Sequence, residues 1–561
     1  MARINSKTLF LTTSPRSPEK MFPEIQLLSE HFSGSKWDSD TQMQFMTMLK
    51  NQDFFHGDAS KNPELSARDR INRGPKSLGF VTLSPVVSLT GAGRALISSP
   101  RKNEFFLRQL LKFQLPSPYH IPSKDSAQFC VKPYLEFLRL IRHLGTLKFD
   151  ELHLFGMQLT DWHLFDDVIK KINNFRNAVA SDHGNYRTFK TKVLFRELRK
   201  LYSTDIAKGN FRVRESKNSS IEKFLSTKGA NMRDYADAAF RYLRATGLVN
   251  VSSSGKSLSI APERIADVDH ILNTVDREPC HIDNLNEYTN YLSDISIPIL
   301  LSDNKEALMH RIHTEFSGCT LSDNMSVSEL KDILANLIEK KKNQIIDNQI
   351  AQIKSYSVFD DIQNTYDHIL SGNVYDAPLI MEWNTWRAMT MLDGGNVKAN
   401  LNFDDAGLPL STAQGNMADI ICDYGDFILI VEVTLSSGQR QYIMEGEPVS
   451  RHLGNIKHLS GKPCYCLFVA PAINSACIAH FYTLQNLNVS FYGGKSTIVP
   501  LKLSVFRKML VDSYSASYTP NPAMVRELFE YSAATASRCP DENEWFEKIN
   551  SAAMNWLHQI P

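Results

Sequence analysis

The feature that most restricts the fold of this chain is the stretch ADIICDYGDFILIVEVT, which runs from Ala418 to Thr434. Its apolar and β-branched residues predict a buried β-hairpin, yet Asp419 and Glu432 stand near the two outer ends. Burying a carboxylate is costly unless a basic residue, a set of backbone donors or a metal ion compensates its charge. The hairpin therefore predicts an ion pair, a set of backbone donors or a cation site at these two acids.

The length of the chain argues against a single core. A chain of 561 residues predicts three or four domains, and 42% hydrophobic with 22% charged residues is typical of a soluble globular protein. The longest apolar runs are far shorter than the ~18 to 20 residues that span a membrane, and no signal peptide is evident. We therefore expect a cytoplasmic protein.

The eight cysteines lack the spacing of a disulfide framework, which favours reduced thiols. The tightest group, in CYCLFVAPAINSACIAH, consists of Cys464, Cys466, Cys477 and His480. These residue types can bind zinc. However, Cys464 and Cys466 alternate along a strand-like run, so a shared core-facing side explains them as well.

Basic residues are concentrated in two segments although the net charge is only +1. Residues 1–120 contain 16 Lys and Arg against 10 Asp and Glu, and residues 181–244 contain 15 against 7. Such excesses favour a polyanionic partner, because the charge would lie where contact is made. Ordinary solvated faces are the alternative for either segment alone.

The pattern of apolar residues divides the chain into four segments. Residues 1–145 and 146–275 each combine helices with a short hairpin, which favours two winged-helix-like subdomains. Residues 276–372 predict a helical connector whose longest helix lies in VSELKDILANLIEKKKNQIIDNQIAQIKSY. Residues 373–561 place helix, strand, strand, helix and strand in order, with a loop before the hairpin, which predicts an α/β domain around a mixed sheet.

Four acids recur in the last segment at positions that suit a catalytic site. Glu382 lies on a predicted helix, Asp419 and Glu432 on the hairpin, and Glu445 on the helix after it. Antiparallel strands can bring their outer ends close, so the two hairpin carboxylates can face one point. Hard oxygen ligands suit Mg²⁺, which can polarise a phosphodiester and lower the pKa of an attacking water.

This arrangement follows the logic of the PD-(D/E)-x-K nuclease core, which would here be ADI…EVT. Asp419 fits the first acid and Glu432 the second, whereas Ala418 replaces the proline and Thr434 the lysine. The pattern alone is weak, because two acids a dozen residues apart occur in many hairpins.

A series of longer motifs runs along the chain to about residue 500. They are SPRSPEK (Ser14–Lys20), SARDR (Ser66–Arg70) with GF (Gly79–Phe80), LRQLLKFQLPS (Leu107–Ser117), RDYADAAFRYLRATGL (Arg233–Leu248), EWNTW (Glu382–Trp386), AQGNMADI (Ala413–Ile420), EVTLSSGQRQ (Glu432–Gln441), MEGEPVSRH (Met444–His452) and YCLFVAPAIN (Tyr465–Asn474). Together and in this order they resemble the AlwI family of type IIS restriction endonucleases, which includes strand-specific nicking enzymes. Their joint occurrence is much more specific than any one of them.

The resemblance implies a magnesium-dependent cleavage site in the C-terminal segment. Asp419 and Glu432 would bind Mg²⁺, and Glu445 would be the third catalytic acid. Glu382 would complete the metal site, either directly or through water.

The family expects threonine where Thr434 stands, so the absence of lysine departs from the general nuclease pattern and not from the family. The group that orients the attacking water is then open, with Gln441 and Glu445 as candidates. His452 could lie near the scissile phosphate or pack and form ion pairs at the start of its helix, and the same holds for Arg451.

Structural roles are the alternative for the two hairpin acids. Asp419 could cap the end of the hairpin, and Glu432 could form an ion pair with Arg440 or Arg451.

The resemblance also implies that the two N-terminal subdomains recognise the DNA sequence, and the basic excess agrees with this. Arginine bidentate to guanine is the commonest specific contact, whereas most other basic contacts go to phosphates. A helix would place Arg233, Arg241 and Arg244 within one broad face. The candidate DNA-binding residues are Arg16, Arg68, Arg70, Arg73, Lys76, Arg233, Arg241 and Arg244.

We therefore predict a multidomain α+β protein with helix-rich, winged-helix-like DNA-recognition subdomains, a helical connector and a C-terminal α/β nuclease domain of the PD-(D/E)-x-K type. It would bind a short asymmetric site in duplex DNA and hydrolyse phosphodiester bonds a few base pairs outside it by Mg²⁺-assisted attack of water. The alternatives are a strand-specific nicking endonuclease, the large subunit of a heterodimeric restriction enzyme and a non-catalytic sequence-specific DNA-binding protein.

One cleavage domain cuts one strand, so the expected partners besides duplex DNA are a second copy, paired transiently through the cleavage domains, or a small second subunit. A cognate DNA methyltransferase and a prokaryotic cytoplasm are implied by the family.

Overall fold

The computed structural model describes residues 2–4, 6–52, 55, 62–122, 129–181, 185–213, 220–252, 255–393, 396–413, 417–516 and 521–557. The chain forms two compact units. The first comprises residues 1–51 and 57–338, and the second comprises residues 52–56 and 339–561. The finer division into four segments stays a prediction.

The first unit is mainly helical. Its helices are α1 (Pro18–Phe32), α2 (Ser39–Lys50), α3 (Pro63–Ile71), α4 (Gly91–Ser98), α5 (Lys102–Lys112), α6 (Pro133–Leu144), α7 (Phe149–Leu154), α8 (Phe165–Ser181), α9 (Tyr186–Leu201), α10 (Ser203–Ala207), α11 (Ile221–Arg244), α12 (Ile265–Thr274), α13 (Leu285–Ser293) and α14 (Lys305–Glu315). A π-helical turn covers Asn72–Lys76, and 3-10 turns cover Gly156–Gln158, Trp162–Leu164, Pro262–Arg264 and Leu301–Asp303.

Short strands accompany these helices. They are β1 (Ala2–Ile4), β2 (Val81–Thr82), β3 (Ser88–Leu89), β4 (His120–Pro122), β5 (Leu147–Lys148), β6 (Val249–Val251) and β7 (Ser257–Ile260). β1 pairs with β4 in parallel, β2 with β3 antiparallel, and β7 lies between β5 and β6 in an antiparallel sheet. The predicted hairpin after α11 is confirmed, while the assignment to winged helices stays a prediction.

Helix α11 shows how local sequence sets the ends of an element. Its N-cap is Ser220, whose hydroxyl accepts a hydrogen bond from the Lys223 N–H at 3.2 Å. Gly247 follows its C-terminus with a φ of +67°, which glycine adopts without a steric penalty. The chain then turns directly into β6.

Aromatic rings form part of the core of the first unit. The Tyr242 ring of α11 lies 5.4 Å from the Phe106 ring of α5 and 6.0 Å from the Tyr134 ring of α6, measured between centroids. All three side chains are buried. Rings of this size dominate core energetics, so these contacts fix α5, α6 and α11 against one another.

One long helix crosses the boundary between the two units in the chain, at the place where the sequence predicts the longest helix. It is α15 (Val327–Lys354). Near its start, Leu330 and Leu334 pack with Leu308 and Ile312 of α14, and near its end Ile353 belongs to the core of the second unit.

The second unit is an α/β structure. Its helices are α16 (Phe359–Leu370), α17 (Ala377–Asp393), α18 (Gly438–Gln441), α19 (Glu447–Ser460), α20 (Ser475–Asn486), α21 (Leu503–Ser515), α22 (Pro522–Ala536) and α23 (Glu542–Met554). Its strands are β8 (Asn396–Ala399), β9 (Asn402–Phe403), β10 (Pro409–Ser411), β11 (Ile420–Asp423), β12 (Ile428–Val433), β13 (Cys464–Ala470) and β14 (Ile498–Lys502). A π-helical turn covers Tyr442–Gly446 and a 3-10 turn covers Ser490–Tyr492.

A five-stranded mixed sheet forms the centre of this unit, in the order β14-β13-β12-β11-β8. β12, β13 and β14 run parallel, whereas β11 is antiparallel to both of its neighbours. Helices connect the parallel strands, as such connections require. The predicted hairpin is confirmed as β11 and β12, and so is the mixed sheet of a helix-rich α+β protein.

The stretch between α17 and β11 was predicted to be a loop, and that prediction was wrong for β8, β9 and β10. β8 adds the outer strand next to β11. Its sequence, NVKA, buries only Val397, so it carries almost no apolar signal. β8 therefore forms because its backbone pairs with β11, and not because of its side-chain pattern.

No described helix is both long enough and apolar enough to cross a membrane.

Candidate active site and DNA-binding face

The hairpin brings Asp419 and Glu432 together at its open end. Ile420 pairs with Val431, so Asp419 and Glu432 occupy the next positions on the two chains. The Val433 N–H donates a hydrogen bond of 2.8 Å to Asp419 Oδ2. Asp419 therefore receives the backbone bond of a hairpin cap while its carboxylate stays beside that of Glu432, which is buried.

Two further acids belong to the same cluster. Glu382 on α17 is buried and accepts a 3.1 Å hydrogen bond from the Ala413 N–H, and Asp419 acts on it electrostatically. Glu445 lies in the π-helical turn before α19 and is half-buried. Its pKa is raised by burial, although a hydrogen bond with Thr434 opposes the shift.

The four carboxylates, of Glu382, Asp419, Glu432 and Glu445, form an acidic cluster whose charges oppose one another. Burial, and then the charge of Glu432, holds the pKa of Asp419 well above its usual range. Burial, and then the charge of Glu445, does the same to the pKa of Glu432. A buried site that disfavours its own negative charge is a site where a cation gains free energy.

The acidic cluster fits Mg²⁺ in ligand chemistry and charge. Among the described residues, no three Asp, Glu, His or Cys side chains form a ready-made metal cage. Mg²⁺ needs no such cage, because it keeps several waters and usually takes one or two protein carboxylates. Two adjacent carboxylates at the open end of a hairpin meet that requirement.

The zinc alternative gains no support from the structure. Cys464, Cys466 and Cys477 are buried free thiols. The Nε2 atom of His480 lies 3.1 Å from the Ser450 hydroxyl. Cys464 and Cys466 lie two residues apart on β13, as the core-facing interpretation predicts.

The partner of Glu432 is His452, not the Arg440 or Arg451 suggested from the sequence. His452 Nδ1 lies 2.7 Å from Glu432 Oε1. Burial lowers the pKa of His452 to about 4, so we assign the neutral ring with Nδ1–H donating to the carboxylate. Arg451 pairs instead with Glu447 at 3.1 Å, since residues one turn apart on α19 face each other.

The Gln441 side chain connects the segment after β12 with the segment after β13 through hydrogen bonds to the backbone. Its Nε2 donates to the carbonyls of Ser436 and Ala472, both at 2.9 Å, and its Oε1 accepts from the Asn474 N–H at 2.6 Å. The side chain is fully buried. Both of its amide protons are committed to the backbone, so Glu445 is better placed than Gln441 to orient a water.

The π-helical turn that carries Glu445 is held by contacts that were not predicted from the sequence, where His480 was considered only as a zinc ligand and Ser450 and Tyr442 were not considered. Ser450 donates to the Gly446 carbonyl at 2.8 Å and lies next to His480, whose ring meets the Tyr442 ring edge-on at 5.9 Å. His480 is thirty residues from Ser450 in the chain. No local pattern marks such a contact.

The predicted DNA-binding residues of the first unit fall into two groups. Arg16, Arg68, Arg73 and Arg233 keep their side chains at the surface. Arg70, Lys76, Arg241 and Arg244 are buried or half-buried.

The exposed arginines lie on three segments that contact one another, namely the SPRSPEK loop, α3 with the π-helical turn after it, and α11. Thr12, just before the SPRSPEK motif, donates from its hydroxyl to the Arg73 carbonyl at 2.6 Å. The Tyr242 hydroxyl of α11 donates to the Pro15 carbonyl at 3.0 Å. The SPRSPEK loop thereby packs on both the π-helical turn after α3 and α11. We define the basic face as its exposed Arg16 together with Arg68, Arg73 and Arg233.

The less exposed group makes internal ion pairs. Arg70 pairs with the fully buried Glu24 at 2.6 Å, and Arg241 pairs with Asp237 at 3.2 Å. Arg244, 7% exposed, acts on the buried carboxylate of Glu19.

Lys76 lies over the Tyr119 ring, with Nζ 5.0 Å from the centroid, and burial lowers its pKa. These contacts favour a supporting role for the four less exposed residues. Arg233 and Arg244 share the predicted face of α11, yet only Arg233 is exposed.

Comparison with known proteins identifies the family. Among solved structures, the chain is similar to the small subunit of the heterodimeric restriction endonuclease R.BspD6I, with 25% identity over 34% of this chain and 98% of that chain, and a TM-score of 0.30. No curated protein sequence matches. The family described as AlwI restriction endonuclease matches residues 76–509, which is more than half of the chain and confirms the resemblance predicted from its motifs. The chain therefore belongs to the AlwI restriction endonuclease family, and it is a restriction endonuclease that acts on DNA.

Proposed function

We propose that this chain is a type IIS restriction endonuclease, which binds a short asymmetric site in duplex DNA and cuts a few base pairs outside it with the aid of Mg²⁺. The observation that carries the proposal is the acidic cluster, in which buried carboxylates raise one another's pKa at the end of a hairpin. Membership of a restriction endonuclease family supports the proposal that this cluster is the cleavage site.

Asp419 and Glu432 are the proposed ligands of Mg²⁺, with Glu382 completing the site. When bound, the ion would polarise the phosphodiester and lower the pKa of the attacking water. The Val433 N–H holds Asp419, and the Ala413 N–H holds Glu382. Both carboxylates are thus oriented before DNA arrives.

Glu445 is the proposed acceptor for the proton of the attacking water. Burial raises its pKa toward the pH at which a carboxylate can take up a proton, and Thr434 orients it. Thr434 is itself fixed, since its hydroxyl accepts the Ser436 N–H at 3.0 Å. In this way Thr434 fills the position of the lysine in the general nuclease motif.

Sequence recognition is assigned to the first unit and cleavage to the second. The basic face lies in the first unit, the acidic cluster lies in the second, and α15 connects them. A helix of 28 residues is about 42 Å long at a rise of ~1.5 Å per residue. We propose that the cut falls outside the recognition site because recognition and cleavage belong to different units.

Double-strand cleavage requires a second cleavage domain, because one acidic cluster serves one strand. We propose a transient pair of two copies. A strand-specific nickase, or the large subunit of a heterodimeric enzyme, is the alternative. A cognate DNA methyltransferase and a prokaryotic cytoplasm complete the proposal.

The test is cleavage of supercoiled plasmid by wild type and Asp419→Asn, each with Mg²⁺ and with EDTA. Asp423→Asn is a matched control, because Asp423 lies at the other end of β11 in an exposed ion pair with Lys462. Discrete linear fragments from wild type and the control, in Mg²⁺ only, support the proposal.

Open circles that never become linear would favour the nickase or a missing subunit. Fragments from Asp419→Asn at the wild-type rate would refute the proposed metal ligand. If no protein cuts but all bind duplex DNA, the non-catalytic DNA-binding protein is the better description.

A further inference from the structure

Arg73 of the basic face pairs with a single acid one turn away, Asp69, at 3.0 Å, whereas two carboxylates of a distant segment hold the charge of Arg16. Its Nη2 donates to Asp234 Oδ1 at 3.1 Å, and its Nε lies 3.5 Å from Asp237 Oδ2. Both acids belong to α11. The Arg16 side chain is nevertheless 49% exposed, so its guanidinium is held from one side and open on the other.

The backbone under Arg16 is also fixed. Pro15 precedes it, Pro18 opens α1 two residues later, and proline restricts φ at both positions. The Pro15 carbonyl accepts from the hydroxyl of Tyr242, which is fully buried in the aromatic core. Arg16 therefore extends from a rigid loop.

The two carboxylates change what Arg16 can bind. A phosphate would meet Asp234 and Asp237 together with the arginine, so little net attraction is left for it. The edge of a guanine base, by contrast, is uncharged, so it binds directed N–H donors whether or not their surroundings carry a net positive charge. A guanidinium has five such donors, and those of Nη1 with the second proton of Nη2 suffice for a bidentate contact.

We propose that Arg16 recognises a guanine through the major groove, that Asp234 and Asp237 are its positioning residues, and that the exposed Arg68, Arg73 and Arg233 contact phosphates. The inference rests on the proposed function, since it names the base contact of that same DNA site. Arg241 contributes by sharing Asp237, from which its Nε lies 3.2 Å.

The experiment measures duplex binding in the absence of Mg²⁺, so that cleavage does not interfere. The preferred site is first taken from the wild-type plasmid fragments, and each base pair is then changed singly. Dissociation constants are compared for wild type, Arg16→Ala, Arg16→Lys and Asp234→Asn. Arg142→Ala is the control, because Arg142 forms an equally exposed pair with Asp269 at 2.7 and 3.1 Å elsewhere in the unit.

Arg16→Ala is expected to weaken binding to the intact site by about 10- to 100-fold. Wild type and Arg16→Ala should have equal dissociation constants on duplexes in which the one G·C pair read by Arg16 has been changed. Changes at the other base pairs of the site should still weaken the binding of Arg16→Ala, as they weaken that of wild type. Arg16→Lys keeps the charge but loses the planar fork, so it should resemble Arg16→Ala. Asp234→Asn should lose part of the discrimination and bind unrelated DNA more tightly at low salt.

Arg16→Ala could instead weaken binding to all duplexes equally and lower the slope of log affinity against log salt concentration by about one. Arg16 would then be a phosphate contact, which would overturn this inference but not the proposed function. Unchanged binding by Arg16→Ala, as expected for Arg142→Ala, would reduce the pair to a surface ion pair and overturn it as well. If wild type binds all duplex sequences with the same affinity, the proposed function is itself wrong, and the inference about Arg16 is wrong with it. Thermal unfolding of each variant separates these outcomes from misfolding.

Discussion

Glu432, a proposed metal ligand, shows how strongly one side chain can depend on a neighbour remote in sequence. Its carboxylate is held by His452, twenty residues later. Groups that hydrogen-bond to metal ligands fix their orientation, and losing one typically costs about 10- to 100-fold in activity or metal affinity. His452 is therefore expected to act through Glu432.

Substitution of His452 tests this dependence. His452→Asn keeps an N–H donor near the position of Nδ1, whereas His452→Gln places it near Nε2 and His452→Leu removes it. We expect His452→Asn to cleave much faster than His452→Gln or His452→Leu, with a smaller rise in the Mg²⁺ concentration that gives half-maximal rate. The readouts are that concentration and the rise of Tm with added Mg²⁺.

His458→Leu is the control, because His458 is an exposed histidine in the last turn of the same helix. Equal loss in the Asn and Leu variants, at equal Tm, would show that the Nδ1 bond to Glu432 is unimportant.

His153 predicts a dependence of stability on pH. It is buried in α7 with Nε2 3.0 Å from the Gly229 carbonyl, and burial lowers its pKa from 6.5 to about 4. Between these values the unfolded chain binds a proton that the folded chain refuses. Folding should therefore lose up to roughly 3 kcal/mol as the pH falls from 6.5 to about 4, and keep this contribution above 6.5.

His153→Gln is the matched variant, since its amide can still donate to the Gly229 carbonyl but does not titrate. Calorimetric Tm values from pH 8 to pH 4 should fall less steeply for His153→Gln than for wild type. Identical slopes would mean that His153 is not held neutral.

At the scale of elements, a buried ion network joins α5 to the start of α15. Lys331 on α15 lies 2.6 Å from both Glu104 on α5 and Asp303, and Arg108 on α5 pairs with the same two acids at 2.9 and 2.7 Å. Both cationic side chains are less than 10% exposed. Removing one partner from such a network leaves an uncompensated buried charge.

Lys331→Met should therefore destabilise the first unit by about 3 kcal/mol, and Glu104→Gln in the same chain should recover part of the loss. Arg142→Ala, which breaks an exposed pair, should cost at most about 1 kcal/mol. Thermal and urea unfolding of the full chain provide the comparison. A similar small cost for Lys331→Met would show that the network is solvated.

The π-helical turn before α19 leaves little room for a side chain at Gly446. A Cβ there would lie 3.0 and 3.1 Å from two atoms of the Tyr442 ring. Gly446→Ala should displace the turn that carries Glu445, so it should slow cleavage more than it lowers Tm. Tyr442→Leu in the same chain should restore part of the rate, and failure of that rescue would contradict the steric explanation.

Elements with strong local signals could be predicted from the sequence, and long-range contacts could not. The apolar run of β12 and the long periodic pattern of α15 were sufficient to predict both elements. By contrast, β8 depends on its pairing with β11, and the exposure of Arg233 against the burial of Arg244 depends on packing around α11. The four acids were identified by motif, but their mutual electrostatics required the fold.

At the scale of the whole molecule, the two units differ in the burial of their thiols. Cys130, Cys280 and Cys319 of the first unit are half-buried, whereas Cys422, Cys464, Cys466, Cys477 and Cys539 of the second are buried. Burial also raises the pKa of Cys477 to about 11, which keeps its reactive thiolate rare. The two sets thus differ in burial, although burial also raises the pKa of Cys130 and of Cys280 in the first unit.

Because of this distribution, the rate at which each cysteine is modified reports on local opening of the unit that contains it. Under native conditions, a thiol reagent should modify the three half-buried cysteines quickly and the five buried ones only at the rate at which the second unit opens. Mass spectrometry of modified peptides over time gives the two rates separately. Addition of Mg²⁺ should slow only the second group, whereas equal slowing of both groups would show that the two units open together.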